Sequence, residues 1–325
     1  MHLLITIDTE GDNAWAGRGY ENGTENARYL PRFQRLCGRF GFMPTYLTTY
    51  EMGRDDFFVE FARDALARGE CEIGAHPHPW NQPPECPVTS DDMRLQPYLI
   101  EYPPEVIAEK LRVLTALLSE RFDVEMRSHR AGRWAFDATY ARLLASMGYT
   151  VDCSVTPHYR SVVDRREEPS RVPLPDYRRF PTGPYFLDAT DISRPGDLPL
   201  LEIPMTLMPL YGRPTTALYW ALPGRRVKRL MRGVLGQPAV FFRPNGRNRA
   251  DLLRLARRKL EQRAGYVMLM LHSSEFMAGC NPTFKNERDI EGLYADLEVL
   301  FDWLRQHGVE AATCSQYRDI VAGTM

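Results

Sequence analysis

The sequence lacks an excess of charge of either sign, because its 41 lysines and arginines are balanced by 42 aspartates and glutamates. A nucleic-acid-binding protein usually carries a basic excess or a basic face, so this balance argues against a nucleic-acid partner. The chain also lacks an apolar run as long as a membrane span, and its N-terminal apolar stretch is too short for a signal peptide. We therefore expect a cytoplasmic protein without a transmembrane segment.

Cysteine is scarce and scattered, with six residues and no Cys-x-x-Cys pair in 325 positions. This distribution favours reduced thiols over a disulfide framework. A chain of this length buries a large core, so it needs neither disulfides nor a metal merely to fold. It is long enough for two average domains or for one α/β barrel of generous size.

Short β-rich runs alternate with amphipathic helical stretches, a pattern typical of a parallel sheet or barrel. The candidate strands are residues 3–8, 45–49, 71–75, 126–129, 150–153, 200–205, 267–272 and 310–314. The clearest helical patterns are residues 26–40, 55–68, 104–121, 137–147, 250–263 and 290–307. Since no repeat, low-complexity tract or linker interrupts this alternation, we predict one domain over residues 1–325.

Three segments break the alternation: the long loops at residues 77–103 and 156–199, and an insertion at about residues 207–238. Loops of this length in a compact domain are usually lids, binding loops or disordered segments. The two long loops follow predicted strands, so in a barrel they would lie at the C-terminal face, where active sites lie. Within the insertion, residues 225–232 indicate a basic amphipathic helix. Its basic face is either solvated or contacts a phosphate-bearing or lipid-linked glycan or an anionic membrane.

Asp8 and Glu10 lie at the end of the first predicted strand. Positions i and i+2 of a strand point to the same side, so both carboxylates can face one pocket. Two close carboxylates repel unless a cation or an arginine lies between them, and a solvated turn is the alternative interpretation. Asp12 is a further carboxylate nearby that could take either role.

The segment His76-Pro77-His78-Pro79-Trp80 follows the predicted strand at 71–75. An extended His-x-His segment places both imidazoles on one side, a common arrangement for zinc ligation. The two prolines stiffen the segment, and a polyproline II conformation would make the rings diverge. We interpret His76 and His78 as candidate metal ligands, with an ordinary polar loop as the alternative.

Three further predicted strands end in residues suited to chemistry: Arg130, Asp152 and His272. An arginine can hold a carboxylate through a planar two-pronged hydrogen bond. Histidine gives or takes a proton near neutral pH, and the apolar run before His272 is typical of a buried parallel strand. Together with the acid pair and the histidine pair, five strand ends would converge on one face of a parallel barrel.

These five segments, in this order, resemble the five motifs of the polysaccharide deacetylase family, the NodB-homology domain, over nearly the whole chain. The resemblance implies a distorted (β/α) barrel with seven parallel strands and an enzyme that removes N- or O-acetyl groups from sugars. It also implies a divalent metal, most simply Zn²⁺, bound by one carboxylate and two histidines.

The resemblance assigns a role to each of these strand-end residues. The general base would be Asp8, oriented by Arg130. The general acid that protonates the leaving amine or alcohol would be His272, tuned by Asp152. The metal ligands would be Glu10, His76 and His78.

Several motifs depart from the usual family pattern. In these departures the sequence resembles a divergent branch of the family, whose members are associated with bacterial surface-polysaccharide gene clusters. The usual adjacent Asp-Asp pair is spaced as Asp8-Thr9-Glu10, and Trp80 stands where the second motif usually has a histidine. These departures leave open whether Asp8, Glu10 or Asp12 binds the metal. They also leave open a glycan-binding member that no longer hydrolyses its ligand. A sugar deformylase and a metal-dependent isomerase or aldolase are further alternatives.

The implied substrate is an acylated sugar of a bacterial surface polysaccharide or its precursor, free or linked to a nucleotide or a lipid. Aromatic side chains of the two long loops and near the third motif are candidates to stack on sugar faces, although any of them could equally pack in the core. The candidate substrate-binding residues are Trp80, Trp134, Tyr185 and Glu275. The sequence does not indicate the oligomeric state.

Overall fold

The computed structural model describes residues 1–12, 23–160, 175–210, 212–222, 225–235 and 239–324. The strands are β1 (His2–Thr9), β2 (Pro44–Thr48), β3 (Glu72–Ala75), β4 (Ser128–His129), β5 (Val151–Asp152), β6 (Tyr185–Phe186), β7 (Leu201–Glu202), β8 (Leu207–Pro209), β9 (Ala239–Phe241), β10 (Tyr266–His272) and β11 (Glu310–Ala311). The α-helices are α1 (Leu30–Phe40), α2 (Tyr50–Arg54), α3 (Asp56–Ala67), α4 (Asp92–Leu95), α5 (Pro104–Phe122), α6 (Ala138–Ser146), α7 (Arg213–Ala221), α8 (Arg225–Leu235), α9 (Arg249–Glu261), α10 (Glu287–Gln306) and α11 (Cys314–Thr324).

The main sheet runs in the order β10-β1-β2-β3-β4-β5-β7-β6, and β11 pairs with the start of β1. Each neighbouring pair from β10 to β7 is parallel, whereas β6 is antiparallel to β7 at the edge. Helices follow most of these strands and cover the outside of the curled sheet. The predicted distorted (β/α) barrel with seven parallel strands is therefore confirmed.

Residues beyond β7 and before β10 join the two ends of the curled sheet. The Phe242 N–H donates to the Thr206 carbonyl over 2.9 Å, and the Met270 N–H donates to the Phe242 carbonyl over 3.2 Å. The Met268 N–H donates to the Thr206 hydroxyl over 2.9 Å. An irregular connection around Thr206 and Phe242 therefore closes the space between β7 and β10, which a regular strand fills in a complete barrel.

Alternation along β1 separates two cores. Leu3, Ile5 and Ile7 pack outward with the helices in the larger hydrophobic cluster. Leu4 packs inward, in the smaller cluster that fills the barrel with residues of β5, β7 and β10. Because Asp8 has the same parity as Leu4, its carboxylate also points inward, above the inner core.

Each predicted strand overlaps an observed one, and each predicted helix overlaps an observed helix. The observed β4, β5, β7 and β11 are only two residues long, because the chain leaves the sheet soon after each pairing. The short elements α2, α4, β6, β8 and β9 and the terminal α11 were not predicted. All six cysteines are free, and no helix in the described ranges has the length and hydropathy to cross a bilayer.

Candidate active site

A cavity of about 320 Å³ opens at the carboxyl ends of the parallel strands. Its floor is formed by strand-end residues that the sequence singled out: Asp8, Glu10, His76, His78 and His272. The long loops predicted at this face contribute its walls, since Trp80 and Tyr177 line it as well. Part of the second loop, residues 161–174, lies outside the described residues.

Arg130 lies beneath the cavity, fully buried, and binds Asp8. Its Nη1 lies 2.5 Å from Asp8 Oδ1, while its Nη2 donates to the Thr6 hydroxyl and its Nε to the Cys153 carbonyl, both over 2.9 Å. Burial opposes ionisation of Asp8, but Arg130 and two neighbouring histidines outweigh this effect and lower the pKa of the carboxyl. Asp8 is thus held ionised, with its second oxygen, Oδ2, facing His76 and His272 at 3.8 Å each.

Glu10, His76 and His78 form a buried cluster whose ligand atoms all lie within 4.8 Å of one another. Glu10 Oε2 lies 3.7 Å from His76 Nε2 and 3.5 Å from His78 Nε2, and the two ring nitrogens are 3.1 Å apart. Pro77 and Pro79 therefore do not make the two rings diverge. One carboxylate and two imidazole nitrogens are a donor set that divalent transition metals accept.

Local contacts orient both histidines for this role. His76 Nδ1 lies 2.8 Å from the Arg130 carbonyl, so it carries the ring proton and leaves the Nε2 lone pair toward the cluster. The ring of His78 packs between Trp80, with centroids 4.4 Å apart, and the backbone of Gly132. A Cβ at Gly132 would overlap His78 Cδ2, so only glycine fits beside this ring.

The pKa values of the two imidazoles shift in opposite directions. Burial opposes protonation of His76, but the carboxylates of Asp8 and Glu10 raise its pKa. Burial and the neighbouring His76 lower the pKa of His78 well below its ordinary value. The neutral imidazole is the form that binds a cation. The lowered pKa of His78 favours that form, and a cation beside Glu10 would take the place of the proton that the carboxylates favour on His76, so the residues present fit a divalent metal.

His272, which also lines the cavity, is held by Arg243 and Glu275, of which the sequence singled out only Glu275, as a substrate-binding residue. Arg243 Nη2 lies 2.8 Å from His272 Nδ1 and 2.9 Å from Glu275 Oε1, and the His272 N–H donates to Glu275 Oε2 over 2.8 Å. Burial would raise the pKa of Glu275, but Arg243 and His272 lower it to about 2. Glu275, predicted to bind substrate, is buried and instead supports the end of β10.

The contact with Arg243 determines which ring nitrogen of His272 holds the proton. His272 Nδ1 also lies 3.4 Å from Glu275 Oε2, but its contact with the guanidinium is the shorter of the two. Since a guanidinium N–H can donate but not accept, Nδ1 accepts in the neutral ring and the proton lies on Nε2. Nε2 lies 3.8 Å from both Asp8 Oδ2 and Glu10 Oε1, facing the cavity. His272 therefore presents an N–H donor to whatever occupies the space above the two carboxylates.

Asp152 lies at the end of β5 as predicted, but its partner is not the expected one. Its Oδ1 is 2.6 Å from His129 Nδ1, and Ser154 donates its backbone N–H and its hydroxyl to the same carboxylate, each over 2.9 Å. Burial alone would raise the pKa of Asp152, but His129 lowers it. In the adjacent Glu202, burial and the charge of Asp152 raise the pKa well above its ordinary value. The structure thus pairs Asp152 with His129 below the site, rather than with His272.

The other predicted residues are divided between cavity and core. Trp80 and Trp134 line the cavity, and the Trp134 ring stacks on Phe241 with centroids 6.0 Å apart. Tyr185 is buried and donates its hydroxyl to the Ile192 carbonyl, so it packs in the core. Asp12 accepts the backbone N–H groups at the start of the 3-10 helix Glu25–Tyr29, which removes it from the metal cluster.

Lys110 was not singled out in the sequence, although it supports the site from α5. Its ammonium group is buried and donates to the carbonyls of Pro79, Gln82 and Pro84 over 2.9, 2.6 and 2.7 Å. These carbonyls belong to the loop that follows the histidine pair. A lysine at a buried position of a predicted helix was the available signal, because lysine is almost never fully buried without partners.

No protein-family model and no curated protein sequence matches this chain. Solved structures do match. A candidate polysaccharide deacetylase from Mycobacterium smegmatis is 17% identical with a TM-score of 0.54, and the match covers 99% of this chain and 91% of that one. A candidate glycoside hydrolase or deacetylase from Parabacteroides distasonis is 10% identical with a TM-score of 0.59, covering 98% and 70%.

A GH57 branching enzyme from the archaeon Thermococcus kodakaraensis, solved with glucose, is 12% identical with a TM-score of 0.54. That match covers 98% of this chain and 70% of the branching enzyme. At these identities the likeness concerns the fold, and proteins of one fold can carry different chemistries. The chain therefore has the curled parallel-sheet fold of NodB-like polysaccharide deacetylases.

Proposed function

We propose that this protein is a metal-dependent hydrolase that removes an N-acetyl, or another short N- or O-acyl, group from a sugar. The observation that carries the proposal is the convergence of Asp8, His272 and the Glu10–His76–His78 cluster in one cavity. A set of residues that can bind a metal ion, an ionised carboxylate and an N–H donor are the groups that metal-dependent acyl hydrolysis requires. The fold of the neighbouring structures supports the same assignment.

Glu10, His76 and His78 would hold a divalent cation, most simply Zn²⁺, which when bound polarises an acyl carbonyl and supplies an activated water near neutral pH. Asp8 is placed to take a proton from the attacking water, because Arg130 occupies Oδ1 and leaves Oδ2 free toward the cavity. Its lowered pKa keeps the carboxylate ready to accept that proton at neutral pH.

His272 is placed to complete the reaction from the other side of the cavity. Its Nε2–H faces the two carboxylates, and Arg243 on Nδ1 prevents the ring from turning that nitrogen away. We propose that the ring acts as an imidazolium, with its Nδ1–H toward Glu275 Oε2 at 3.4 Å. It gives its Nε2 proton to the leaving nitrogen or oxygen as the acyl bond breaks, which leaves a neutral imidazole. Arg243 and Glu275 then act as positioning residues for His272, the role first expected for Asp152.

The rings that line the cavity support a sugar as the substrate. Trp80 and Trp134 line the cavity together with Tyr98, Tyr159 and Tyr177. Sugars present apolar C–H faces that pack on aromatic rings while their hydroxyls bond to polar groups around them. A bacterial surface polysaccharide or its precursor, linked to a nucleotide or a lipid and modified in the cytoplasm, remains our prediction for the natural substrate.

Metal analysis combined with acyl release tests the proposal. The protein is purified, stripped with a chelator and supplied in turn with Zn²⁺, Co²⁺, Mn²⁺ or Mg²⁺ together with N-acetylated and O-acetylated oligosaccharides. We expect a divalent cation to be bound and acetate to be released. His272→Ala should keep its fold and its metal but lose about 10²- to 10⁴-fold in turnover. Asp12→Asn, outside the cluster, should keep near-normal turnover.

The outcomes separate the alternatives. Sugar binding without acyl release under any of these cations would identify a glycan-binding protein, and formate release from a formylated sugar would identify a deformylase. Near-normal turnover of His272→Ala would remove the general acid from the scheme. A rearranged sugar with its acyl group intact would point to an isomerase or aldolase.

A further inference from the structure

The insertion between β8 and β9 has an unusual charge composition. Residues 211–238 contain five arginines and one lysine but no aspartate or glutamate, in a chain whose 41 basic and 42 acidic residues nearly balance as a whole. The described part of the insertion forms α7 and α8, which rise from the two-stranded sheet of β8 and β9. This segment is therefore a basic helical projection on a nearly neutral protein.

The projection also exposes apolar side chains. Nine large apolar residues are exposed in the described ranges, and five of them lie in or next to this projection: Leu210, Leu218, Val227, Leu230 and Val234. Isolated exposed apolar residues are ordinary, whereas a concentration of them marks an interaction surface.

On α8 the exposed apolar residues form one stripe. Val227, Leu230 and Val234 are 43%, 72% and 76% exposed, and their i, i+3, i+7 spacing places them on the same side of the helix. An ordinary surface helix buries its apolar stripe, whereas this one turns it to solvent. Arg226 and Arg229 are exposed on the side of the stripe and carry no neighbouring acidic residue within the helix.

We propose that this projection docks on the surface of an anionic lipid bilayer. The α8 stripe would then lie at the boundary between the headgroups and the acyl chains. An exposed apolar stripe flanked by basic residues is the pattern of interfacial helices, which combine apolar burial with attraction to anionic lipid. Charge also argues against a second copy as the occupant. Two such projections placed face to face would bring together basic groups with no acidic group between them.

The stem of the projection packs against residues that line the cavity. Phe241 of β9 stacks on Trp134, and two residues further along Arg243 reaches His272. Docking through α8 would thus bring the wall of the cavity toward the bilayer, as an enzyme acting on a lipid-linked sugar requires. The docking does not depend on the proposed hydrolase activity and is measured without it.

Vesicle sedimentation of the full chain tests the proposal. Vesicles of phosphatidylcholine alone are compared with vesicles in which about one lipid in four is phosphatidylglycerol. We expect binding to the anionic vesicles, weakened severalfold when the salt rises from about 0.1 M to 0.5 M because surface charges are then screened. Binding to neither kind of vesicle would overturn the proposal.

Paired substitutions separate the apolar and basic contributions. Leu230→Ser with Val234→Ser should reduce the partition coefficient by about tenfold or more, because both side chains would be buried in the headgroup region. The matched control is Val299→Ser, which removes an exposed apolar residue from α10 and should bind as the wild type does. Equal binding of the double variant and the control would overturn the proposal.

The charge variant Arg226→Glu with Arg229→Glu should also lose about tenfold in binding to anionic vesicles. Its control, Arg257→Glu with Arg258→Glu, makes the same change at exposed positions of α9 and should bind normally. Light scattering of the same proteins tests the other occupant. A wild-type dimer that the serine variant turns into a monomer would show that the stripe is a contact between copies, and would overturn the proposal.

Discussion

In the candidate site, His78 packs against Gly132 with no room for a side chain at position 132. The ring of His78 lies against the glycine, and a Cβ there would also come within 2.7 Å of the Pro77 carbonyl oxygen. Metal affinity depends on ligand position, and disturbing the groups that orient a ligand typically costs about 10- to 100-fold. Glycine at position 132 is therefore a requirement of the histidine pair rather than of the local turn.

We expect Gly132→Ala to fold but to bind Zn²⁺ about 10- to 100-fold more weakly, because the methyl group displaces the His78 ring. Calorimetric titration of the metal-free protein measures this loss. Gly38→Ala is the control, since nothing lies within 4 Å of a Cβ built there and the residue is inside α1. An affinity of Gly132→Ala equal to that of the control would show that His78 is not a ligand.

A second residue-scale prediction concerns the dependence of stability on pH. The pKa of Glu275 falls to about 2 in the folded protein, below its ordinary value of 4.5. Since the folded-state pKa is depressed, the stability it contributes is fully present above pH 4.5 and is lost as the pH falls toward about 2. The difference between these pKa values corresponds to about 3 kcal/mol.

Glu275→Gln should therefore lower the free energy of unfolding by about 3 kcal/mol at neutral pH and by much less near pH 2. Denaturant unfolding of both proteins at a series of pH values measures the difference. Glu298→Gln is the control, because that exposed glutamate pairs with Arg39 at the surface and should contribute less than about 1 kcal/mol. A loss at Glu275→Gln that stays constant with pH would contradict the assigned ion pair.

At the scale of elements, α5 and the loop after β3 depend on each other through Lys110. The loop is rich in proline and turns its carbonyls inward, and a buried ammonium group is the donor that pairs them. Burial lowers the pKa of Lys110, but three carbonyl oxygens offset part of the cost of removing the charge from water. The contact holds Trp80 in the cavity wall through its neighbour Pro79.

Lys110→Met should preserve α5 but leave three carbonyls without their donor, at a cost of about 1–3 kcal/mol in unfolding free energy for each carbonyl that stays buried. Hydrogen exchange should rise in residues 79–84 more than elsewhere. Lys259→Met, at a half-buried position of α9, provides the matched control and should change neither quantity substantially. Unchanged exchange in that loop would show that Lys110 does not anchor it.

How far the sequence predicts the site depends on where each residue sits on its element. Asp8, His76 and His272 were predictable, because polar residues at the ends of apolar parallel strands converge in any barrel. Arg243 was not, since it follows β9 on the irregular connection between insertion and barrel, where no periodic pattern indicates direction. Asp152 was placed at the correct strand end but given the wrong partner, because strand order does not reveal whether His129 or His272 is nearer.

The same distinction holds for the fold. Strand existence followed from apolar periodicity, but the limits of β4, β5 and β7 depend on where the chain turns away from its neighbours. The projection formed by α7 and α8 appeared in the sequence as a basic stretch. That its apolar stripe faces solvent could not be predicted, because a stripe of this spacing is normally buried.

For the whole molecule, the irregular connection between the two ends of the sheet closes the barrel, and we expect it to contribute to the free energy of unfolding. Thr206 accepts the Met268 N–H with a buried hydroxyl, in a place where no regular ladder is available. Thr206→Val keeps the shape and removes the acceptor, so the free energy of unfolding should fall by about 1–3 kcal/mol. Thr48→Val is the control, because its hydroxyl donates to the carbonyl of Tyr46 within its own strand. If both variants lost the same free energy of unfolding, the hydrogen bond at the connection would contribute no more than a bond within one strand.

The pairing of β1 with β10 has a consequence for biosynthesis. β1 pairs with β10, and the Glu10 N–H donates to the Ser273 hydroxyl, a partner 263 residues later in the chain. A ribosome adding about 5–20 residues per second needs roughly 13 to 50 seconds to make that stretch. For most of this interval the three candidate ligands Glu10, His76 and His78 already exist in the nascent chain, whereas His272 does not. The pocket is therefore finished by one of the last strands to be made.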